Sequence, residues 1–360
     1  MRINSGYRSQ SLLELLALKE FVERLRACSV PQDALTWSRF FGALLLVLLI
    51  LLFLSGAFLS LNYSPVPGAA YDSVDFVLFN LPFGAVVKGI HHYAWNLLLI
   101  VMGLHLMRAF VLGAYKAPRQ LVWVSGVLIM LIVPLLIITG DLLPWDQKGY
   151  WSTQVRLSII RSVPVFGDLF VRLLQGGTLT GIVALTRFYI LHILFLPGIL
   201  LFLLAVHFHL IAHRGLSEPL SNSSSSRLKI PFLPDMVNRW LVLFLLVTII
   251  LGFISWYWPP PLGDPADPTD STYVPKPEWW VLFLNQLVAI FKGPLTVIGS
   301  AVIPGLLAGL LIALPFLDRS SERNIPKRKL VIVIAGIIIV SMLILSVMGY
   351  IEHFGEPHPK

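Results

Sequence analysis

The sequence predicts an all-α, polytopic membrane protein with seven transmembrane helices, the first four forming a bundle. Three observations predict it. The chain is 56% hydrophobic and only 13% charged, with a mean hydropathy of +0.80. Several stretches exceed the ~18 consecutive apolar residues that mark a membrane span. Basic residues collect in alternate loops, as they do in membrane proteins. The net charge of +8 does not call for nucleic acid, because the loops on one membrane face account for it. A single cysteine, Cys28, excludes internal disulfides and any cysteine-ligated zinc or iron–sulfur site of the chain's own.

Residues 1–37 are basic and partly amphipathic, with Leu12, Leu13, Leu15, Leu16 and Leu18 ahead of Phe21-Val-Glu-Arg-Leu-Arg26. This pattern suits an interfacial helix. No short apolar core with a small-residue cleavage site opens the chain, so no signal peptide is expected. Spans one to four are expected over about 38–61, 84–112, 121–141 and 184–211. A Ser-rich linker at 216–235 then divides a four-span lobe (38–215) from a three-span lobe (236–352), which leaves a tail at 353–360. Spans five to seven fall near 238–258, 295–316 and 330–350. Pro259-Pro-Pro-Leu-Gly-Asp-Pro is too proline-rich for a helix. Residues 279–291 form an apolar segment too short to span.

Placing the N-terminus inside puts residues 1–40, 113–121, 212–239 and 318–329 on the inner face, with 17 of the 27 basic residues. The opposite loops carry Asp72, Asp75, Asp141, Asp146, Asp264, Asp267 and Asp270. Seven spans thus satisfy the positive-inside rule, and spans two and four both run from outside to inside.

Span two carries His91 and His105, 14 residues apart, and span four carries His192 and His207, 15 apart. At ~100° and ~1.5 Å per residue, each pair lies nearly on one helix face, with the two members roughly 21 Å apart along the axis. A lone histidine in lipid is commonly satisfied by a neighbouring carbonyl. Matching spacings on two co-directional spans point instead to two imidazole pairs, one near each leaflet, as two six-coordinate haems require. Gly42 and Gly56 in span one, and Gly126 and Gly140 in span three, are also 14 apart. Small residues serve helix packing, and they also let a flat group approach the backbone.

These residues resemble cytochrome b of the Rieske/cytochrome b complexes. The resemblance rests on the histidine pairs, the four glycines, Leu143-Pro-Trp-Asp-Gln147, Leu185-Thr-Arg-Phe-Tyr189, Gly263-Asp-Pro-Ala-Asp-Pro268 and Pro277-Glu-Trp-Trp280. The 15-residue interval is similar to the plastid-type branch (cytochrome b6), whose four-span and three-span chains look fused here. The resemblance implies two non-covalent b-type haems, with His91 and His192 ligating the outer one and His105 and His207 the inner one. It implies that Lys88, Arg108 and Arg187 serve haem propionates. Lys88 stands where the family has arginine, so it keeps the charge and loses the bidentate fork. It further implies a quinol-oxidising site with Glu278 as proton acceptor, lined by Pro277, Trp279, Trp280, Trp145, Val163 and Pro164. Without the family, the two tryptophans beside Glu278 read as an interfacial belt. Trp280 replaces the family's tyrosine.

An inner quinone site is implied less directly. His209, His213 and Asp235 lie on the correct side, but Ala212 occupies the place of the histidine that respiratory relatives use. Phe40 stands at or near the cysteine through which plastid-type relatives attach an extra haem, so no covalent extra haem is expected. The implied partners are a Rieske iron–sulfur protein, a c-type cytochrome or equivalent acceptor, a second copy of the chain and membrane lipid. The expected setting is a bacterial inner membrane. Two rivals are a di-haem anchor of another quinone oxidoreductase and a proton-coupled transporter. The glycine quartet and Pro-Glu-Trp-Trp are not expected in such an anchor.

Overall fold

A computed structural model describes residues 23, 29–31, 37–215, 229–270 and 272–355. The expected interfacial helix, Cys28, most of the Ser-rich linker and the end of the tail lie outside them. The described residues contain seven helices long and apolar enough to cross a membrane. The four-span unit comprises α1 (Trp37–Leu61), α3 (Gly84–Val111), α4 (Gln120–Asp141) and α7 (Ile182–Arg214). The three-span unit comprises α8 (Val237–Tyr257), α10 (Ile303–Leu317) and α11 (Lys329–Phe354). A two-stranded antiparallel clip, β1 (Ser29–Pro31) with β2 (Lys229–Pro231), ties the chain before span one to the segment before span five.

Short helices occupy the end of the bundle at which span one finishes. Pro67 opens α2 (Pro67–Phe79), where its fixed φ and missing N–H cost nothing. This helix was not anticipated from the sequence. After span three, Asp146 caps α5 (Gln147–Arg161) by accepting from Gly149 N at 2.8 Å. The amphipathic α6 (Gly167–Gln175) follows and ends at Gly176, whose φ of 71° closes the helix in the left-handed region. In the last loop, Trp279–Val281 forms one tight turn leading into α9 (Leu282–Ile290), so the short apolar segment is a helix that does not span.

Span four is not a uniform α-helix. Leu191–Phe195 forms a π turn in which Leu196 N bonds Leu191 O, five residues back. One extra residue is thereby accommodated between His192 and His207.

The central core joins Val47, Leu48 and Leu51 of α1 to Ala94, Leu98 and Val101 of α3, Leu200 of α7, and Val247 and Leu251 of α8. Span five thus packs directly on span two. At Gly89 any Cβ would collide with Ser255, so this crossing requires glycine. Tyr93 Oη clasps the same pair by donating to Trp258 O at 2.6 Å. Near the start of α4, Trp123 Nε1 donates to Leu311 O at 2.6 Å, fastening α4 to α10. Most side chains of α10 and α11 remain exposed and apolar, as lipid-facing spans are.

Candidate functional site

Three of the four paired histidines are held from behind by hydroxyls. Ser55 Oγ donates to Leu51 O at 2.6 Å, so its lone pairs are what face His91 Nδ1 at 2.9 Å. Ser125 Oγ likewise donates to Val122 O at 2.9 Å and faces His207 Nδ1 at 2.8 Å. Thr139 Oγ1 donates to Leu135 O at 2.8 Å and lies 3.3 Å from His192 Nδ1, which also reaches Leu136 O at 2.9 Å. A hydroxyl with its hydrogen already committed must accept. Nδ1 is therefore the protonated nitrogen in these three rings, and Nε2 keeps its lone pair. This is the tautomer that a metal-ligating histidine needs, oriented by partners behind the ligand.

The glycines clear space for those rings. A Cβ at Gly140 would sit 2.6 Å from His192 Cε1, one at Gly56 3.2 Å from His91 Cε1, one at Gly126 3.3 Å from His207 Cε1, and one at Gly42 3.8 Å from His105 Cε1. Each of the four glycines thus faces one of the four histidines. His91 and His192 approach from different spans with ring centroids 6.3 Å apart and planes at 69°. Two imidazoles on opposite faces of one metal, each bonded at about 2 Å, put their centroids about 6 Å apart. Donor chemistry, tautomer and separation fit an axially ligated haem at the outer pair. His105 and His207 lie within electrostatic reach of each other at the inner level.

The three cations differ in placement. Lys88 is half-buried one turn before His91, within electrostatic reach of Asp146 and Lys148. Arg108 occupies the last turn of α3, within reach of His105. Arg187 is exposed and donates through Nη1 to Leu173 O at 2.6 Å and Arg172 O at 3.2 Å, engaging the carbonyl end of α6.

At the end of the bundle that carries the short helices, two remote segments zip together. Ala266 N donates to Trp145 O at 3.0 Å and Gln147 N to Asp264 O at 2.9 Å. Asp146 Oδ2 accepts from Gly263 N at 3.3 Å. Burial raises the Asp146 carboxyl above its ordinary value, against these backbone bonds that lower it. The zipper delivers Pro277-Glu-Trp-Trp280 to the side of α3, where Trp279 Nε1 donates to Oδ1 of Asn96, near the middle of that helix, at 2.8 Å. Glu278 is ion-paired with Lys148. Trp280 Nε1 is buried without a hydrogen-bond partner among the described residues.

Pro277 is half-buried beside Glu278, and the buried Trp145 stacks edge-on to Tyr150. Val163 and Pro164 form the turn between α5 and α6, roughly 22 Å along α5 from Lys148. They belong to the far end of the outer surface. His209 and His213 stack on each other at 4.5 Å near the exposed inner end of α7, and Asp235 is exposed before α8.

Sequence reasoning missed Ser55, Ser125, Thr139, Asn96 and Lys148. A signal existed for three of them, since each hydroxyl immediately precedes one of the glycines: Ser55-Gly56, Ser125-Gly126 and Thr139-Gly140.

Comparison with known proteins agrees with this geometry. Residues 96–265 match the family model described as cytochrome b(N-terminal)/b6/petB, and residues 265–356 match cytochrome b(C-terminal)/b6/petD. The chain is 30% identical over 339 residues to a cytochrome bc complex cytochrome b subunit of Chlorobaculum thiosulfatiphilum, covering 91% of this chain and 77% of that one. It is 41% identical over 181 residues to a menaquinol:cytochrome c reductase cytochrome b subunit of Geobacillus thermodenitrificans, covering 50% of this chain and 81% of that one. A solved hyperthermophilic respiratory Complex III superposes with a TM-score of 0.80 at 28% identity, covering 97% of this chain and 91% of that chain.

Proposed function

The chain belongs to the cytochrome b family of bc-type complexes, and from that premise we propose that it is the di-haem, quinone-active subunit of a quinol oxidoreductase. One observation carries the proposal. Three of the four ligand histidines have Nδ1 committed to a hydroxyl on a neighbouring span, with Nε2 left to bind metal. His91 with His192 holds the outer b-type haem, and His105 with His207 the inner one. The haems, when bound, supply one-electron carriers at two depths of the membrane.

The chain's own residues do the rest. Quinol releases two electrons and two protons on becoming quinone; Glu278 takes one of those protons at the outer face and the other passes to the outer aqueous phase. Trp279 and Trp280 wall the pocket, and Trp280 Nε1 offers a buried donor to a quinone oxygen. One electron leaves to a Rieske iron–sulfur protein and on to a c-type cytochrome or equivalent acceptor. The other crosses the membrane to quinone at an inner site where His209, His213 and Asp235 can handle protons. Proton release outside and uptake inside contribute to proton translocation. The complex contains two copies of the chain in a bacterial inner membrane, with the N-terminus inside, no covalently attached extra haem and lipid around the outer spans.

The test is spectroscopic. Dithionite-reduced protein shows a b-type α-band, and pyridine haemochrome counting finds two haems per chain and one in His192→Leu. A His192→Leu protein that keeps both haems would falsify the pairing. A preparation with no α-band leaves the transporter reading standing.

A further inference from the structure

The Glu278 carboxylate is not a lone base in an apolar wall, because its partner is the Lys148 ammonium. The two residues lie 130 positions apart and come together only through the zipper between the Trp145–Gln147 and Asp264–Ala266 strips. Both ends of the pair are fastened. Lys148 sits in the first turn of α5, whose preceding residue Gln147 accepts from Trp151 Nε1 at 3.0 Å and from Asp267 N at 3.3 Å. Glu278 precedes a tight turn whose Trp279 is tied to Asn96 of α3. The pair is partly shielded, with 20% of the Glu278 side chain exposed and 42% of that of Lys148.

Other charged groups surround the pair. Asp141 at the end of α4 and Asp146 before α5 both attract Lys148. Lys88 and His92 face it from α3, and Tyr273 from the loop. Burial disfavours the Lys148 ammonium, but Asp141, Glu278 and Asp146 outweigh it and hold the group above the ordinary lysine value. Lys148 therefore stays charged when Glu278 is neutralised, with two further carboxylates to turn towards.

We propose that Lys148 is a positioning residue for quinol oxidation: its ion pair holds the Glu278 carboxylate in the orientation from which it accepts a quinol proton. The proposal rests on the reading of Glu278 as proton acceptor. It adds that the acceptor is clamped in the resting site and is released as the proton arrives.

The experiment measures kcat/KM of the purified complex for a short-chain naphthoquinol, with cytochrome c as acceptor, across the pH range the complex tolerates. Haem content is checked for every variant. Lys148→Met lowers kcat/KM by about tenfold or more, because the carboxylate loses the partner that orients it. Lys148→Arg keeps a cation beside Glu278 and restores most of the rate. In a Glu278→Gln background, Lys148→Met changes nothing further, which separates the effect from His92 and the aspartates. Lys148→Gln serves if the methionine variant assembles poorly.

An unchanged kcat/KM in Lys148→Met, no rescue by Lys148→Arg, or a loss as large in the Glu278→Gln background overturns the role of Lys148 and leaves the acceptor reading intact. Wild-type turnover in Glu278→Gln alone removes the acceptor, and the clamp with it.

Discussion

Gly140 and Gly42 face equivalent histidines with unequal tolerance. The His192 ring beside Gly140 is held at Nδ1 by Leu136 O and Thr139, so it has no room to retreat from an added methyl group 2.6 Å away. Gly140→Ala is expected to cost about 1–3 kcal/mol of overpacking at the outer pair and to lower outer-haem occupancy. Gly42→Ala places its Cβ at an ordinary 3.8 Å from His105 Cε1 and is expected to keep both haems. Pyridine haemochrome counts on the two variants check this contrast, and equal losses would show that the glycines matter for helix packing alone. The 14-residue glycine spacing was legible in the sequence; which ring each glycine faces was not. That depends on how span one rotates against span two and span three against span four.

At the scale of the element, the π turn at Leu191–Phe195 explains why an interval of 15 residues in span four answers one of 14 in span two. A uniform α-helix would leave His207 about 60° out of line with His192, compared with about 40° for the other pair in the opposite sense. The turn absorbs the odd residue beside the ligand itself. Deleting Leu194 is expected to convert the turn to α-helix, restore a 14-residue interval and leave both haems in place. Loss of the inner haem by haemochrome counting would mean that the π turn is not what sets the register. Hydropathy located span four without revealing this turn, because the i→i+5 bond changes the backbone pattern and not the composition.

At the scale of the whole molecule, the two span groups are locked by a buried charge cluster between the loop after span two and the loop between spans six and seven. Lys116 Nζ donates to Asp318 Oδ1 at 2.8 Å and Tyr115 Oη to Asp318 Oδ2 at 2.5 Å. Arg328 donates to Tyr115 Oη at 2.8 Å and to the carbonyl of Val111 at 2.8 Å. Removing Asp318 leaves two buried cations short of their counterion, so Asp318→Ala is expected to cost about 3–5 kcal/mol. Burial works to raise the Asp318 carboxyl, but the Lys116 and Tyr115 bonds and the neighbouring cations outweigh it and hold it below its ordinary value. A carboxylate lowered on folding stabilises the fold above its unfolded pKa of about 3.9, and loses that contribution as pH falls through the folded value. Protease cleavage of the 318–328 loop in detergent should therefore rise below about pH 4 in wild type. In Asp318→Asn it should be high and independent of pH, and matching profiles would exclude the cluster as the lock.

The amino-acid order by itself determined the seven spans, the two histidine pairs and the family. Hydropathy and helical period are properties of local sequence, and four imidazoles at matched depths leave few chemical alternatives. Only the tertiary structure decided which nitrogen of three of the four rings is free, which glycine clears which histidine and which cation holds Glu278. Those are facts about groups on different elements, and their partners are set by packing and by bonds between residues 36 to 130 positions apart in the chain.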